Sequence, residues 1–110
     1  MLELIFGNKT AEKVLLHIFH YGEVHASAIA HDYQMAVNPI LGQLDRFEKA
    51  NVLISKEQGR TRVYSFNPKS PLVKPVKELI KSLYDSIPLK EKEVLFSVRR
   101  RPRRKGKPVL

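Results

Sequence analysis

The sequence predicts a small α+β fold that is mainly helical and carries one β-hairpin. Two apolar-periodic segments, 28–33 and 37–50, follow each other after a short break. After them come the apolar run 52–54, a turn centred on Gly59 and the alternating strand 63–66. Two short helices, a turn and a hairpin in this order are typical of a winged helix-turn-helix, a shape whose second helix fits the DNA major groove.

The first helix is predicted ahead of that motif. Asn8 or Thr10 can cap its first turn with a side-chain oxygen, and Gly22 can end it in a left-handed conformation. Its apolar side chains recur at the spacing of a core-facing stripe. They are Val14, Leu15, Ile18 and Phe19. Ser27 is expected to cap the second helix.

The third helix is predicted from about Val37 to Ala50. Pro39 is compatible with it because a proline in the first turn removes no hydrogen bond that the helix needs. Ile40, Leu44 and Phe47 are spaced at i, i+4 and i+7, so we expect them to face the core.

Asn51 ends this helix, and the wing follows. Its first strand is predicted over 52–55, its loop over 56–62 and its returning strand over 63–66. Gly59 supplies a positive φ if the turn needs one. Alternation along the returning strand is expected to point neighbouring side chains to opposite faces.

A further helix is predicted between Pro75 and Pro88, and its apolar face consists of Val76, Leu79, Ile80 and Leu83. We therefore assign 1–87 to the winged domain with its C-terminal helix. Residues 88–98 form an extension that is ambiguous between strand and helix. Residues 99–110 are basic, lack apolar periodicity and are expected to be disordered in isolation.

Composition excludes several classes of protein. A chain of 110 residues with 43% apolar content can bury one modest core. With no cysteine, it has no disulfides, thiolate metal sites or cysteine nucleophiles. The sequence contains no glycine-rich phosphate loop or hydrolase motif, so we expect neither enzymatic activity nor a cofactor. It also has no long apolar run, so we expect a cytoplasmic protein without membrane contact.

The formal net charge of +9 is concentrated at one end of the chain. Residues 99–107 hold seven basic side chains and no acid: Arg99, Arg100, Arg101, Arg103, Arg104, Lys105 and Lys107. The rest of the chain has 13 basic and 11 acidic residues, a net charge of +2. Attraction to phosphate must therefore come mainly from the wing half and the tail.

Three separated segments carry a family resemblance: Leu4-Ile5-Phe6-Gly7-Asn8, the helix exit 44–53 and the wing 59–64. They resemble, in the same order, a leading Leu-Phe-Gly-Asn, a Leu-x-x-Leu-Glu-x-Ala-Gly-Leu-Val exit and a Gly-Arg-x-x-Tyr-Tyr wing of the ArsR-like winged-helix regulators. The resemblance covers roughly 2–85. Asn51 replaces the family's glycine, which is compatible because Asn also tolerates the left-handed conformation.

The resemblance implies binding to operator DNA by a homodimer joined through its terminal helices. The dimer residues are then Val76, Leu79, Ile80 and Leu83. Members of this type often stand beside, or are fused to, nucleotidyltransferases. Metal sensing through cysteine pairs is not carried over, because the chain has no cysteine.

The DNA-binding residues of the third helix are predicted to be Val37, Asn38, Leu41, Gln43 and Arg46. Asn38 can reach a base edge or can be a solvated first-turn residue, and Leu41 can touch a thymine methyl group. The groove-facing positions also include Gly42, which has no side chain to reach a base, and Asp45, whose negative charge is repelled by phosphates. We therefore predict weak sequence discrimination.

The wing and the tail carry most of the cations that are predicted to contact phosphate. Lys56, Arg60 and Arg62 are predicted to contact phosphates or the minor groove, the alternative being a solvated charged hairpin. The seven cations of 99–107 can lie in an A·T-rich minor groove or act as a non-specific electrostatic arm.

Four histidines fall within 15 positions: His17, His20, His25 and His31. His17 and His20 are three apart on one helix, which makes a zinc or nickel site conceivable. Such a site would need further ligands, and independent surface histidines are the commoner arrangement. We assign no metal.

Two alternatives to a DNA-binding regulator remain open. The neutral face around Leu41 and Gly42 can dock a protein partner, such as a separate nucleotidyltransferase. The run 94–99 looks like a damaged echo of the first strand of such an enzyme, without its Gly-Ser pair. A weaker alternative is RNA binding through the tail alone.

Overall fold

The computed structural model describes residues 6–96. Within them it forms five helices and three strands, and the predicted winged helix-turn-helix is confirmed. The helices are α1 (Lys9–Tyr21), α2 (Ala26–Tyr33), α3 (Val37–Lys49), α4 (Val73–Ser86) and α5 (Leu89–Leu95). The strands are β1 (Val24–His25), β2 (Leu53–Gln58) and β3 (Thr61–Phe66).

Helix α1 forms as its end signals predict. The Asn8 side chain accepts a hydrogen bond from the backbone N–H of Ala11 at 2.7 Å, and Gly22 ends the helix with a φ of +87°. Most of the predicted stripe has no solvent exposure, and Phe19 is half-buried against the core. The α1 helix is therefore the central element of the core.

Helix α2 begins differently from the prediction, because its cap is His25 rather than Ser27. The backbone N–H of Ala28 donates to His25 Nδ1 at 3.3 Å. His25 also closes β1 and is extended, which is the conformation that an N-cap requires. The Ser27 hydroxyl lies 2.8 Å from the same ring nitrogen and lies within the helix.

Helix α3 and its end agree with the prediction. Ile40 and Leu44 have no exposure and Phe47 is buried. Asn51 takes a φ of +65°, so it makes the left-handed exit for which the family resemblance has glycine.

The sheet is larger than the predicted hairpin. The short strand β1 pairs antiparallel with β3, giving the order β1-β3-β2. Pairing between β2 and β3 continues to Gln58 and Thr61, so the wing turn is only Gly59-Arg60 instead of the predicted 56–62. Gly59 has a φ of +62°. The prediction stopped the strands early because their outer residues are polar, whereas backbone pairing does not depend on apolar side chains.

Strand β3 is the central strand of the sheet, and it carries buried side chains on both faces. Tyr64 and Val63 are neighbours on the strand and both are buried. Tyr64 belongs to the main core cluster, whereas Val63 lies outside it, which agrees with the predicted alternation.

The ambiguous extension is helical where the structure describes it. Val94 and Leu95 belong to α5. The interpretation of 94–99 as an echo of an enzyme strand is therefore wrong for these two residues. Phe96 follows and is buried against the core. Residues 97–110, including the predicted basic tail, lie outside the described part of the chain, as do residues 1–5.

Packing around α1 positions the remaining elements. Helix α1 packs against α3 and also against α4, while α3 packs on α2 and β2 as well. In the described range, no helix has both the length and the apolar character needed to cross a membrane.

Candidate nucleic-acid interface

The outward face of α3 is exposed and makes few contacts. Val37 is 36% exposed and Leu41 is 41% exposed, although both are apolar. Asn38 is exposed, and no side chain within 6–96 forms a hydrogen bond with it. Gly42 is open as well, since an added Cβ would meet nothing within 4 Å. This face is therefore available to a partner, but it presents little polar chemistry.

The far end of α3 is engaged within the domain. The guanidinium of Arg46 donates to the backbone oxygen of Phe6 at 2.8 Å and to Gln43 Oε1 at 3.0 Å. It also lies 5.6 Å from the ring centroid of Phe47. Lys49 forms an ion pair with Asp45 at 3.1 Å. Arg46, which also donates to Gln43, thus holds Phe6 ahead of α1, a role that sequence reasoning missed.

Two of the three predicted wing cations have acidic partners in the same chain. Lys56 Nζ lies 3.4 Å from a carboxylate oxygen of Glu23. Arg62 donates to Glu57 at 3.2 Å and to the Ser55 hydroxyl at 2.9 Å. These pairs are exposed, so water screens them and a phosphate can compete with the carboxylates.

Arg60 differs from its neighbours on the wing. It lies in the turn, is exposed, and has no ion pair with any of residues 6–96. Gly59 beside it takes the positive φ that turns the chain. A phosphate can therefore approach Arg60 without displacing an acidic side chain, as it would have to do at Lys56 and Arg62.

The four histidines do not come together at one place: two of them flank the same carboxylate, and the other two lie elsewhere. His17 Nε2 lies 2.7 Å from Asp32 Oδ2, with both side chains almost completely buried, and His31 approaches the other oxygen of that carboxylate at 3.6 Å. His25 caps α2. Across 6–96, no group of three His, Cys, Asp or Glu side chains is placed to hold a metal ion. The pairing of His17 with Asp32 was not predicted, because no local sequence pattern links residues 15 positions apart.

His20 belongs to an aromatic cluster that joins α5 to α1. Its ring stacks on Phe96 with centroids 4.3 Å apart, and its Nδ1 lies 2.7 Å from the Tyr84 hydroxyl. Lys92 lies 4.2 Å above the Tyr84 ring. Burial, and secondly the charge of Lys92, lower the pKa of His20 from 6.5, so the imidazole favours its neutral form.

The predicted dimer residues pack mainly within their own chain. Ile80 has no exposed surface, so it can support an interface only through its neighbours. Val76, Leu79 and Leu83 are half-buried against the core. Dimerisation through α4 stays a prediction, and the seven cations of the tail lie outside the described residues.

No protein-family model matches the chain, and a search of curated proteins finds no match. Three solved structures are similar to it in fold. The antimony-specific transcriptional repressor AntR has a TM-score of 0.59 at 21% identity, over 76% of this chain and 74% of the repressor. A MarR-family transcriptional regulator from Rhodococcus sp. RHA1 has a TM-score of 0.61 at 13% identity, over 87% and 80%.

The third similar structure is the YusO protein from Bacillus subtilis, with a TM-score of 0.54 at 18% identity, over 80% of this chain and 69% of YusO. Since these proteins are under 25% identical to this chain, the likeness concerns the fold. It does not single out the ArsR-like family. The chain has the winged-helix fold that transcriptional regulators of more than one kind share.

Proposed function

We propose that this chain is a cytoplasmic, dimeric DNA-binding regulator of transcription from a bacterium or archaeon, with no catalytic activity. Helix α3 enters the major groove, and the wing and the basic tail contact phosphates. AntR and the Rhodococcus protein, which share the fold, are named as a transcriptional repressor and a transcriptional regulator. We propose the same kind of role for this chain, because it has the same fold.

The observation that carries this proposal is the exposed outward face of α3. Val37, Asn38, Leu41 and Gly42 lie on one side of a helix whose other side is fully packed. A helix placed in this way can enter a groove without unfolding any part of the domain. Only Asn38 among them offers hydrogen-bonding groups suited to a base edge, so discrimination between sequences is weak.

Phosphate contacts come from Arg60 and, at the cost of exchanging an internal partner, from Lys56 and Arg62. The seven cations of 99–107 add affinity that depends on salt. In a dimer joined through α1 and α4, the two copies of α3 would lie about one helical turn apart, roughly 34 Å, on a partly palindromic site.

A test is fluorescence anisotropy on random-sequence duplex DNA across a salt series. Full-length protein is compared with residues 1–98, which retain every described element. We expect the shorter protein to bind with a clear salt slope, because the winged domain itself contacts phosphates. Loss of all binding with the tail would refute the proposal.

A single substitution makes that test more specific. Arg60→Gln should lower the magnitude of the salt slope by about 0.9, the value expected for one lost phosphate contact. Lys90→Gln is the matched control, since Lys90 is also an exposed cation without an acidic partner within 6–96, but lies on α5. Equal effects of the two substitutions would mean that the wing is not the contact.

A second candidate function is docking of a protein partner, such as a separate nucleotidyltransferase, on the same face of α3. The exposure of Val37 and Leu41, both apolar, favours it. Leu41→Lys separates the two functions. Added positive charge should preserve or strengthen DNA binding, whereas a buried ammonium would abolish docking to a protein.

A further inference from the structure

Several lysines without an acidic partner among the described residues lie near α4, away from the wing turn. Lys69, Lys74 and Lys77 lie just before and along α4, are exposed, and have no acidic partner within residues 6–96. On the wing, by contrast, Arg60 is the cation that lacks such a partner in the described chain, since Lys56 and Arg62 face acids. The part of the chain that the structure describes thus offers more free positive charge beside α4 than on the wing.

Three lysines converge on one groove. Lys74, Lys77 and Lys81 are spaced at i, i+3 and i+7, which places them on one face of α4, and we call them the α4 lysine strip. They line a groove of about 460 Å³ together with the apolar side chains of Phe19 and Val73. Lysine stems can lie on such apolar surface while the ammonium groups remain in water.

The charge pattern of the strip is unfavourable for an isolated helix. Lys77 and Lys81 are four residues apart, a spacing at which like charges repel. Lys81 is partly compensated by Asp85, with which it forms an ion pair, and Glu78 lines the same groove. Lys77 Nζ lies 5.6 Å from the ring centroid of Phe66 and has no acidic partner among the described residues. A bound anion would relieve this repulsion.

The strip is also separated from the outward face of α3. Helix α1 packs against both α3 and α4, whereas α3 and α4 do not pack closely on each other within the described residues. An anion bound at the strip is therefore distinct from the DNA segment that α3 would hold.

We propose that the α4 lysine strip binds the phosphate backbone of nucleic acid outside the segment held by α3 and the wing. Lys74 and Lys81 are about 10.5 Å apart along the helix axis, comparable to the axial rise of about three phosphates of one DNA strand. Ammonium groups act as point charges toward phosphates and need no base sequence. The inference rests on the proposed function, because that function supplies the polyanion.

The experiment is a salt series of full-length protein on a random-sequence duplex of about 30 base pairs, long enough to extend beyond one groove contact. The strip variant carries Lys74→Gln and Lys77→Gln. The matched control carries Lys9→Gln and Lys90→Gln, which remove the same charge from two exposed lysines outside the groove that also lack acidic partners within 6–96.

We expect the strip variant to lower the magnitude of the salt slope by about 1.8, and the control to leave it within error. Between about 50 and 200 mM salt, the wild-type protein then loses about twelve-fold more affinity than the strip variant. Equal slopes for the two variants would overturn the inference while leaving the DNA-binding function intact. Absence of salt-dependent binding by the wild-type protein would overturn both.

Discussion

Helices α1 and α3 are both 13 residues long, but α1 buries more of its side chains than α3 does. The buried residues of α1 are Ala11, Val14, Leu15, Leu16, His17 and Ile18, whereas those of α3 are Ile40, Leu44 and Phe47. Within residues 6–96, elements pack around α1 on several sides, whereas α3 is covered on one side. Residues of α1 are therefore constrained by the stability of the domain, and the outward residues of α3 are free to be constrained by a partner.

The largest expected effect tests the interior side of this comparison. Asp32→Ala should lower the free energy of unfolding by about 3 kcal/mol, because it removes the carboxylate that contacts the buried Nε2 of His17 on α1. Asp45→Ala is the control on α3, where an exposed ion pair with Lys49 is worth less than about 1 kcal/mol. Urea denaturation measures both. If the two variants lost equal stability, the contrast between the helices would be wrong.

The two sides of α3 itself provide the next test. Leu44→Ala should destabilise the domain by about 3 kcal/mol, since Leu44 has no exposure and its loss leaves a cavity. Leu41→Ala, on the outward face, should cost less than about 0.5 kcal/mol. Thermal unfolding followed by circular dichroism distinguishes these values. A large loss of stability from Leu41→Ala would show that this face is structural.

A smaller effect of opposite sign is expected at Gly42. Gly42→Ala should stabilise the domain by about 1 kcal/mol, because alanine favours the helix and the added Cβ meets nothing within 4 Å. Gly59→Ala is the control, and it should destabilise because Gly59 has a φ of +62°. Chemical denaturation of both variants measures the difference. Destabilisation by Gly42→Ala would mean that α3 has a contact which the described residues do not explain.

The smallest effect concerns the outer edge of α1. Because the folded-state pKa of His20 is lowered from 6.5, its stabilising contribution is complete above about pH 6.5 and is lost as the pH falls through the folded-state value. Solvent screens this exposed ring, so we expect about a few tenths of a kcal/mol. Stability measured between about pH 7 and 5 should decline less in His20→Phe than in the wild-type protein. Identical declines would assign the pH dependence to another group.

Much of the fold was predictable because its signals are local. Asn8 and Gly22 delimit α1 through capping and a positive φ, and both depend on the residue and its immediate neighbours. The stripe Ile40, Leu44 and Phe47 follows from the helical period alone. The extent of the wing was less predictable, since its outer strands carry polar side chains on both faces and are held by backbone pairing.

The candidate interface was predictable in part. Exposure of Asn38 and Leu41 follows from the same period that buries Leu44. The contact of Arg46 with Phe6 joins residues 40 positions apart, and the ion pair of Lys56 with Glu23 joins strand β2 to the loop before β1. No local pattern encodes such contacts, so a cation predicted from sequence to face phosphate can prove to have a partner inside the chain.

The sequence by itself determined the order of helices α1 to α4 and the wing hairpin, the apolar faces of α1, α3 and α4, the exclusion of cysteine chemistry and the location of the basic tail, because these depend on composition and on short-range periodicity. The tertiary structure alone decided which polar groups meet. It paired His17 with Asp32, joined β1 to β3, and supplied acidic partners to Lys56 and Arg62 of the wing, while Lys74 and Lys77 of α4 have none among the described residues. These outcomes depend on the packing of elements distant in the chain, since side chains far apart in sequence interact only when packing brings them together.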